Sequence, residues 1–375
     1  MKKGYSRLLT FEVLIFLVLI LNSFVWNILS GYKMILFLVI TLLAFKIFFG
    51  FEKDKHRYIK DIIFDIVIYL LTFFILFYLL GIFITFAKVD SYYTLYGLKT
   101  FIFPTAATIV LKEILRYMIM SKSEGNKILY VTTCILFIFL DITVAFHFAD
   151  FSSNYKTFLF IALSLLPAIV SNIVYCYLTL KIGYKPIIFF ALVINLYRYV
   201  FPIIPNPDEY LTSIIQLLLP IGFLWRTHKF LSKDYDKFLN RDYNKRVLGA
   251  YVIPIILTVV LVYFTSGYFH YYAIAIASGS MEPNISRGDV VIIEKIDNKR
   301  KKLESGRVIA YRYEGIIVVH RLVNIIEEDG KYYYYTKGDS NDDEDNWVIT
   351  EDMIIGTVDH RIPLLGMPTV WLNEI

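Results

Sequence analysis

Nine apolar runs, most of them near twenty residues long, fill the first 268 residues of this chain. They lie at about 8–30, 33–51, 61–87, 100–118, 127–149, 156–180, 185–203, 211–225 and 247–268. A bilayer core takes roughly 20 apolar residues per helix. So many runs in succession constrain the chain more than any other feature: they predict a polytopic α-helical membrane region of about nine transmembrane helices. Composition agrees, since 57% of residues are hydrophobic, only 19% are charged, and the mean hydropathy is +0.57. A soluble domain carries fewer apolar and more charged residues. The eighth run is the shortest and rests on Leu217-Leu218-Leu219-Pro220. Met1-Lys2-Lys3 before a long apolar run imitates a cleavable export signal, but the run is too long and more follow it. It reads as an uncleaved first helix.

Lys and Arg orient the set. With the N-terminus inside, the inner connections hold 18 of these residues and the outer connections 4. The most basic connection is 226–246, which puts it inside and everything after residue 268 outside. The expected location is therefore a multi-pass cell-membrane protein with an extracytoplasmic C-terminal region. A few polar residues fall at membrane depth: Glu113, Arg116, Asp141, Asn195 and Arg198. Such groups are costly in lipid. The plain reading pairs Glu113 with Arg116 at i,i+3 and bonds Asp141 to a neighbouring helix. No GxxxxGK[ST] loop supports an ATP-driven transporter. The two cysteines, Cys134 and Cys176, sit in apolar runs, so the C-terminal region has no disulfide framework and no thiolate metal site.

Near residue 270 the pattern changes. Short β-branched and aromatic runs appear at 290–293, 308–313, 316–326, 332–336, 347–350 and 354–358, separated by Gly-Asp, Glu-Gly, Asp-Gly and Ser-Asn. That predicts a small antiparallel all-β domain. About 105 residues suffice for one core. Tyr268, Phe269, Tyr271 and Tyr272 cluster at the exit of the last apolar run and read as an interfacial anchor.

The domain opens on Ser278-Gly279-Ser280-Met281-Glu282-Pro283, followed by Arg287-Gly288-Asp289. A small serine between Gly and Met, stopped by Pro, makes sense as a nucleophile. A serine hydroxyl needs a base, and the base needs an orienting group. His270 lies among tyrosines at the membrane exit. His360 follows Asp359 in an expected turn. His320 stands mid-strand in Val318-Val319-His320-Arg321-Leu322, where a rigid backbone can aim it. Taken alone, a strand histidine is more often structural. A carboxylate can come from the acidic run Thr336-Lys337-Gly338-Asp339-Ser340-Asn341-Asp342-Asp343-Glu344-Asp345, a pattern more often found as a solvated loop.

Together these residues resemble the type I signal peptidase family. The serine box is Ser278 to Pro283, continued by Gly288-Asp289-Val290-Val291. The base position is Val319-His320-Arg321, which resembles the histidine-containing form found in the endoplasmic reticulum, archaea and some sporeformers. Lys337-Gly338-Asp339-Ser340-Asn341 matches the aspartate box, and Ile355-Gly356-Thr357-Val358 with Ile362-Pro363-Leu364-Leu365-Gly366 matches the closing motif. Asn284 stands where Thr is common, Leu364 where Tyr is frequent, and Glu344 where the first Asp of a pair is frequent. The resemblance spans about residues 247–375. It has no counterpart for the eight earlier runs.

The resemblance implies Ser280 as nucleophile, His320 as base, and Asp345 as orienting carboxylate, with Asp339 the competing candidate. Ser278 and the Ser280 main-chain N–H would form the oxyanion hole. The expected reaction is removal of signal peptides from exported preproteins with small residues at −1 and −3, bound as an added β-strand. No metal, cofactor or nucleic acid is expected; the other expected partner is the lipid bilayer. A neutral imidazole is required, so activity should fall below about pH 6. The expected partition is 1–246 helical region, 247–268 anchor and 269–375 catalytic domain. Two other readings stay open: processing of one dedicated precursor, or a polytopic transporter or receptor carrying an inactive peptidase-like domain. A self-cleaving repressor-type Ser/Lys fold would need a lysine where His320 stands.

Overall fold

A computed structural model describes the chain except residues 1, 27–28, 55, 57, 90–93, 124, 148, 233–240, 297–302 and 373–375. Residues 233–240, within the basic connection used above for orientation, thus lie outside the described residues. The chain divides into two compact units, residues 1–77 with 87–252, and residues 78–86 with 253–375.

The apolar runs fold as helices: α1 (Lys2–Leu21), α2 (Gly31–Phe49), α3 (Ile59–Ile84), α4 (Phe103–Lys122), α5 (Lys127–His147), α6 (Asn154–Ile182), α7 (Tyr184–Val200), α8 (Glu209–Ser232) and α9 (Arg241–Thr265). Among the described residues, six of them (α1, α2, α3, α5, α6 and α9) are long and apolar enough to cross a membrane. Their surfaces fit that solvent. Leu36, Ile40, Leu43 and Ile47 of α2 and Ile253, Ile256 and Val259 of α9 are all exposed, an apolar face that water would not tolerate at this length.

The first unit has two cores. One joins α1, α2, α4 and α5 around Leu19, Leu38, Ile119 and Phe137. The other joins α3, α4, α6, α7 and α8 around Ile66, Leu178, Phe190 and Phe223. Phe190 and Phe223 stack at 4.1 Å. Helix α4 serves both cores and carries the buried charges. Arg116 Nε donates to Glu113 Oε2 at 2.8 Å, and Arg116 Nη2 to Asn172 Oδ1 at 2.6 Å. Asn172 Nδ2 donates to Asp141 Oδ2 at 2.8 Å, and Lys112 Nζ to Asp141 Oδ1 at 2.6 Å. Two cations and two carboxylates thus neutralise one another across α4, α5 and α6, which is what makes their burial tolerable.

The second unit holds a seven-stranded antiparallel sheet. Its strands are β1 (Tyr271–Ala275), β2 (Val290–Lys295), β3 (Val308–Tyr313), β4 (Ile316–Glu328), β5 (Lys331–Lys337), β6 (Ile349–Thr350) and β7 (Ile354–Ile362), in the order β1-β2-β7-β3-β4-β5-β6. Two hairpins set the register around the site. Glu314-Gly315 and Asp329-Gly330 have φ of 47° and 84°, and 49° and 74°. Both central residues are left-handed, the backbone that two-residue hairpins require, and Gly at the second position makes it cheap. One core, with Val291, Ile293, Ala310 and Met281, lies under the serine turn; another, with Tyr311, Leu322, Tyr334 and Ile349, lies beyond it.

One sequence expectation changes here, and one strand is added. Tyr271 and Tyr272, in the aromatic cluster after the last apolar run, belong to edge strand β1 and pair with Glu294 and Ile293. His360 is not in a turn: it lies in β7 opposite Ile292, next to a register shift that lets the strand run on to Ile362.

Candidate active site

Ser280 sits at the head of a turn that leaves β1. Its neighbours fix it from both sides, because Ile276 and Met281 are buried in the core while Ser280 stays half-exposed between them. Glu282 N donates to Gly279 O at 3.1 Å and Ile285 N to Met281 O at 3.0 Å, which closes the turn. The Glu282-Pro283 peptide within it is cis. Asp289, 2% exposed, locks the far end: its carboxylate accepts from Ser286 N at 2.8 Å and Leu364 N at 3.1 Å.

His320 comes from the middle of β4, paired with Ile309 of β3. It is 7% exposed. Its Nε2 lies 3.2 Å from Ser280 Oγ and its Nδ1 lies 2.7 Å from Asp345 Oδ2. Asp345 is reached because the loop after β5 folds back, with Asp345 N donating to Thr336 O at 2.9 Å. Its carboxylate is well held. Thr336 Oγ1 donates to Oδ2 at 2.6 Å and Tyr311 OH at 3.1 Å, and Trp347 Nε1 donates to Tyr311 OH at 3.2 Å. Burial pushes the Tyr311 phenol up to about 12, so it remains a neutral donor near pH 7.

The geometry thus links Ser280, His320 and Asp345 in one hydrogen-bonded line running from solvent into the domain. With Asp345 Oδ2 accepting from Nδ1–H, the Nε2 lone pair faces the serine hydroxyl. Ser278 Oγ lies 3.2 Å from Ser280 Oγ. Among the described residues, the Ser280 main-chain N–H has no acceptor.

Asp339 is held elsewhere. Arg321 Nε and Nη2 donate to its two oxygens at 2.8 and 2.7 Å, and Asn284 Nδ2 donates to Oδ2 at 2.8 Å. The Arg321 guanidinium holds the Asp339 carboxyl below its ordinary range. This fork ties the loop after β5 to the serine turn, and two further bonds tighten the tie: Ser340 N donates to Ser280 O at 3.0 Å, and Ser340 Oγ to Gly279 O at 2.9 Å. The other histidines lie away from this line. His270 Nε2 faces Glu294 at 3.2 Å, and exposed His360 faces Asp359 at 2.8 Å. Sequence reasoning gave no role to Tyr311, Thr336, Arg321, Asn284 and Ser340, although all but Tyr311 stand in or beside a motif it singled out. Among the described residues, no cluster of His, Cys, Asp and Glu could hold a metal.

A model of the Peptidase S24-like family matches residues 253–358. The signal peptidase complex catalytic subunit SEC11C of Homo sapiens is 30% identical over 112 residues, which cover 27% of this chain and 57% of that protein. The catalytic subunit SEC11 of Yarrowia lipolytica is 32% identical over 132 residues, 30% of this chain and 75% of that protein. SEC11 of Lachancea thermotolerans is 33% identical over 117 residues, 28% and 68%. The chain therefore spans little more than half the length of SEC11C but three quarters of the Yarrowia subunit. With that coverage at this identity, the chain belongs to the type I signal peptidase family.

Proposed function

We propose that this protein is a membrane-bound serine endopeptidase that removes signal peptides from exported preproteins. The observation that carries the reading is the line from Ser280 Oγ through His320 to Asp345, with contacts of 3.2 and 2.7 Å. In this mechanism His320 Nε2 takes the hydroxyl proton as Ser280 attacks the scissile carbonyl. Asp345 stabilises the imidazolium. The developing oxyanion is received by Ser278 Oγ and the Ser280 N–H, donors set for the transition state. His320 then gives its proton to the leaving amine, and water, activated by the same base, frees the acyl-enzyme. Asp339 positions the serine turn through Arg321 and Asn284.

We assign residues 247–268 as the anchor of a catalytic domain at 269–375, and 1–246 as a helical region of its own. Nine membrane crossings with the N-terminus inside put the catalytic domain on the extracytoplasmic face; the lysine and arginine asymmetry supports that orientation. Ser280 follows the end of α9 by about fifteen residues, which suits a site held close to the outer membrane surface, where a signal peptide leaves the bilayer.

The test is cleavage of several unrelated preproteins by the full-length protein in detergent, with the new N-terminus read by sequencing. Cuts immediately after a small residue, with another small residue at −3, are expected. Inertness towards all of them would overturn general signal processing, whereas cleavage of one precursor alone would point to a dedicated partner.

A further inference from the structure

The helical unit contains a cavity of about 710 Å³, within the size range of sites for small organic ligands. Three charged residues line it: Lys112, Asp141 and Arg198. Two of them are already satisfied. Lys112 takes Asp141 Oδ1 at 2.6 Å, and Asn172 takes Oδ2 at 2.8 Å. The one carboxylate in the wall therefore has both oxygens occupied and offers little to a cation. Arg198 differs. Its Nε donates only to Tyr197 OH at 3.3 Å, and among the described residues it forms no ion pair. Arg198 is exposed in the last turn of α7, with its guanidinium over the Tyr197 ring, so its remaining N–H donors can receive an anionic group that enters the cavity. Gln216, from α8, adds a second unspent group to the same wall: its Oε1 is buried with no hydrogen-bond donor. A buried acceptor left so costs about as much as a lost hydrogen bond. Much of the remaining lining is apolar, including Phe77, Phe101, Ile109 and Phe190.

We propose that this cavity binds an amphipathic organic anion, with its acidic group on Arg198, an N–H or O–H donated to Gln216 Oε1, and its apolar body along the aromatic wall. The buried network from Glu113 through Arg116, Asn172 and Asp141 to Lys112 fixes part of that wall across three helices, so the site is formed in advance of the ligand. The anion is a carboxylate or a phosphate; a free acid and a lysolipid headgroup share this chemistry. The site is independent of Ser280.

The test uses the full-length protein in phosphatidylcholine nanodiscs, with dansyl-undecanoate as the fluorescent probe. This probe has a carboxylate, a sulfonamide N–H and an apolar chain; its uncharged methyl ester is the control. Saturable binding of the acid is expected, weakened roughly tenfold or more by Arg198→Gln and largely kept in Arg198→Lys. Ester binding should not change in either variant, and Ser280→Ala should bind the acid like wild type. Displacement by lysophosphatidic acid would assign a phosphate-headed lipid, and displacement by fatty acid alone a free carboxylate; either supports the proposal. Non-saturable uptake, equal binding of acid and ester to wild type, or equal weakening of both by Arg198→Gln would overturn it.

Discussion

Two aspartates six residues apart in one loop have different partners, and the difference comes from groups remote in sequence. Asp345 Oδ2 meets His320, Thr336 and Tyr311, whereas Asp339 meets Arg321 and Asn284. Replacing Tyr311 with Phe removes one donor from Asp345 and leaves the ring in place. We expect kcat to fall several-fold with KM unchanged, because the bond matters most when the imidazolium forms; a fall in kcat/KM carried by KM alone would contradict this. Asp339 makes a stability prediction. Its folded carboxyl lies below the usual range because Arg321 donates to it. Its contribution is therefore complete above the unfolded value of about 4 and is lost as pH falls from there through the lower folded value. The gap in melting temperature between wild type and Asp339→Asn should be constant near neutrality and should close only below about pH 4. A gap that closes between pH 7 and 5 would contradict the assignment. Residue types in sequence pointed to Ser280 and His320, since a Gly-Ser-Met turn and a mid-strand histidine are local features. They left the aspartates undecided, because the choice depends on where the loop folds back against Thr336 and Tyr311.

At the scale of elements, the turns were the most legible part. Glu314-Gly315 and Asp329-Gly330 announce hairpins, and the strands they join, β3, β4 and β5, lie where the alternation puts them. β1 was hidden, because a short edge strand beginning with two tyrosines reads as a membrane-exit cluster. The end of β7 was hidden as well: Asp359-His360 is a poor strand dipeptide by propensity, and pairing with β2 overrides it. Gly338 shows how one element positions another. A Cβ there would lie 2.6 Å from Ser280 O and 2.7 Å from Asn341 Nδ2. The absent side chain lets the aspartate loop press against the Ser280 carbonyl. We expect Gly338→Ala to force these backbones apart, at about 1–3 kcal/mol of stability and with a larger loss of kcat than of melting temperature would suggest. Thermal unfolding and steady-state kinetics on the same preparation check this; wild-type kcat would contradict it.

At the scale of the molecule, the helical region was legible from length and hydropathy alone, but its polar interior was legible only in part. The i,i+3 pair of Glu113 and Arg116 follows from helix geometry, whereas the links through Asn172 and Lys112 to Asp141 need three helices to be brought together. Those charges and their neighbours also make α4 less apolar than α2, α3 and α5, so it relies on pairing and packing. Family membership rests on the last third of the chain, and the hydrogen-bonded line from Ser280 through His320 to Asp345 lies wholly inside the second compact unit. The central claim is therefore tested there, by cleavage of a model preprotein by full-length wild type, Ser280→Ala, His320→Ala, Asp345→Asn and Asp339→Asn under identical conditions. The account predicts no detectable cleavage with the first two variants, a loss in kcat on the order of 10⁴ for Asp345→Asn, and a far smaller loss for Asp339→Asn, with lowered stability. Wild-type cleavage by Ser280→Ala, or a greater kcat loss for Asp339→Asn than for Asp345→Asn, would contradict it.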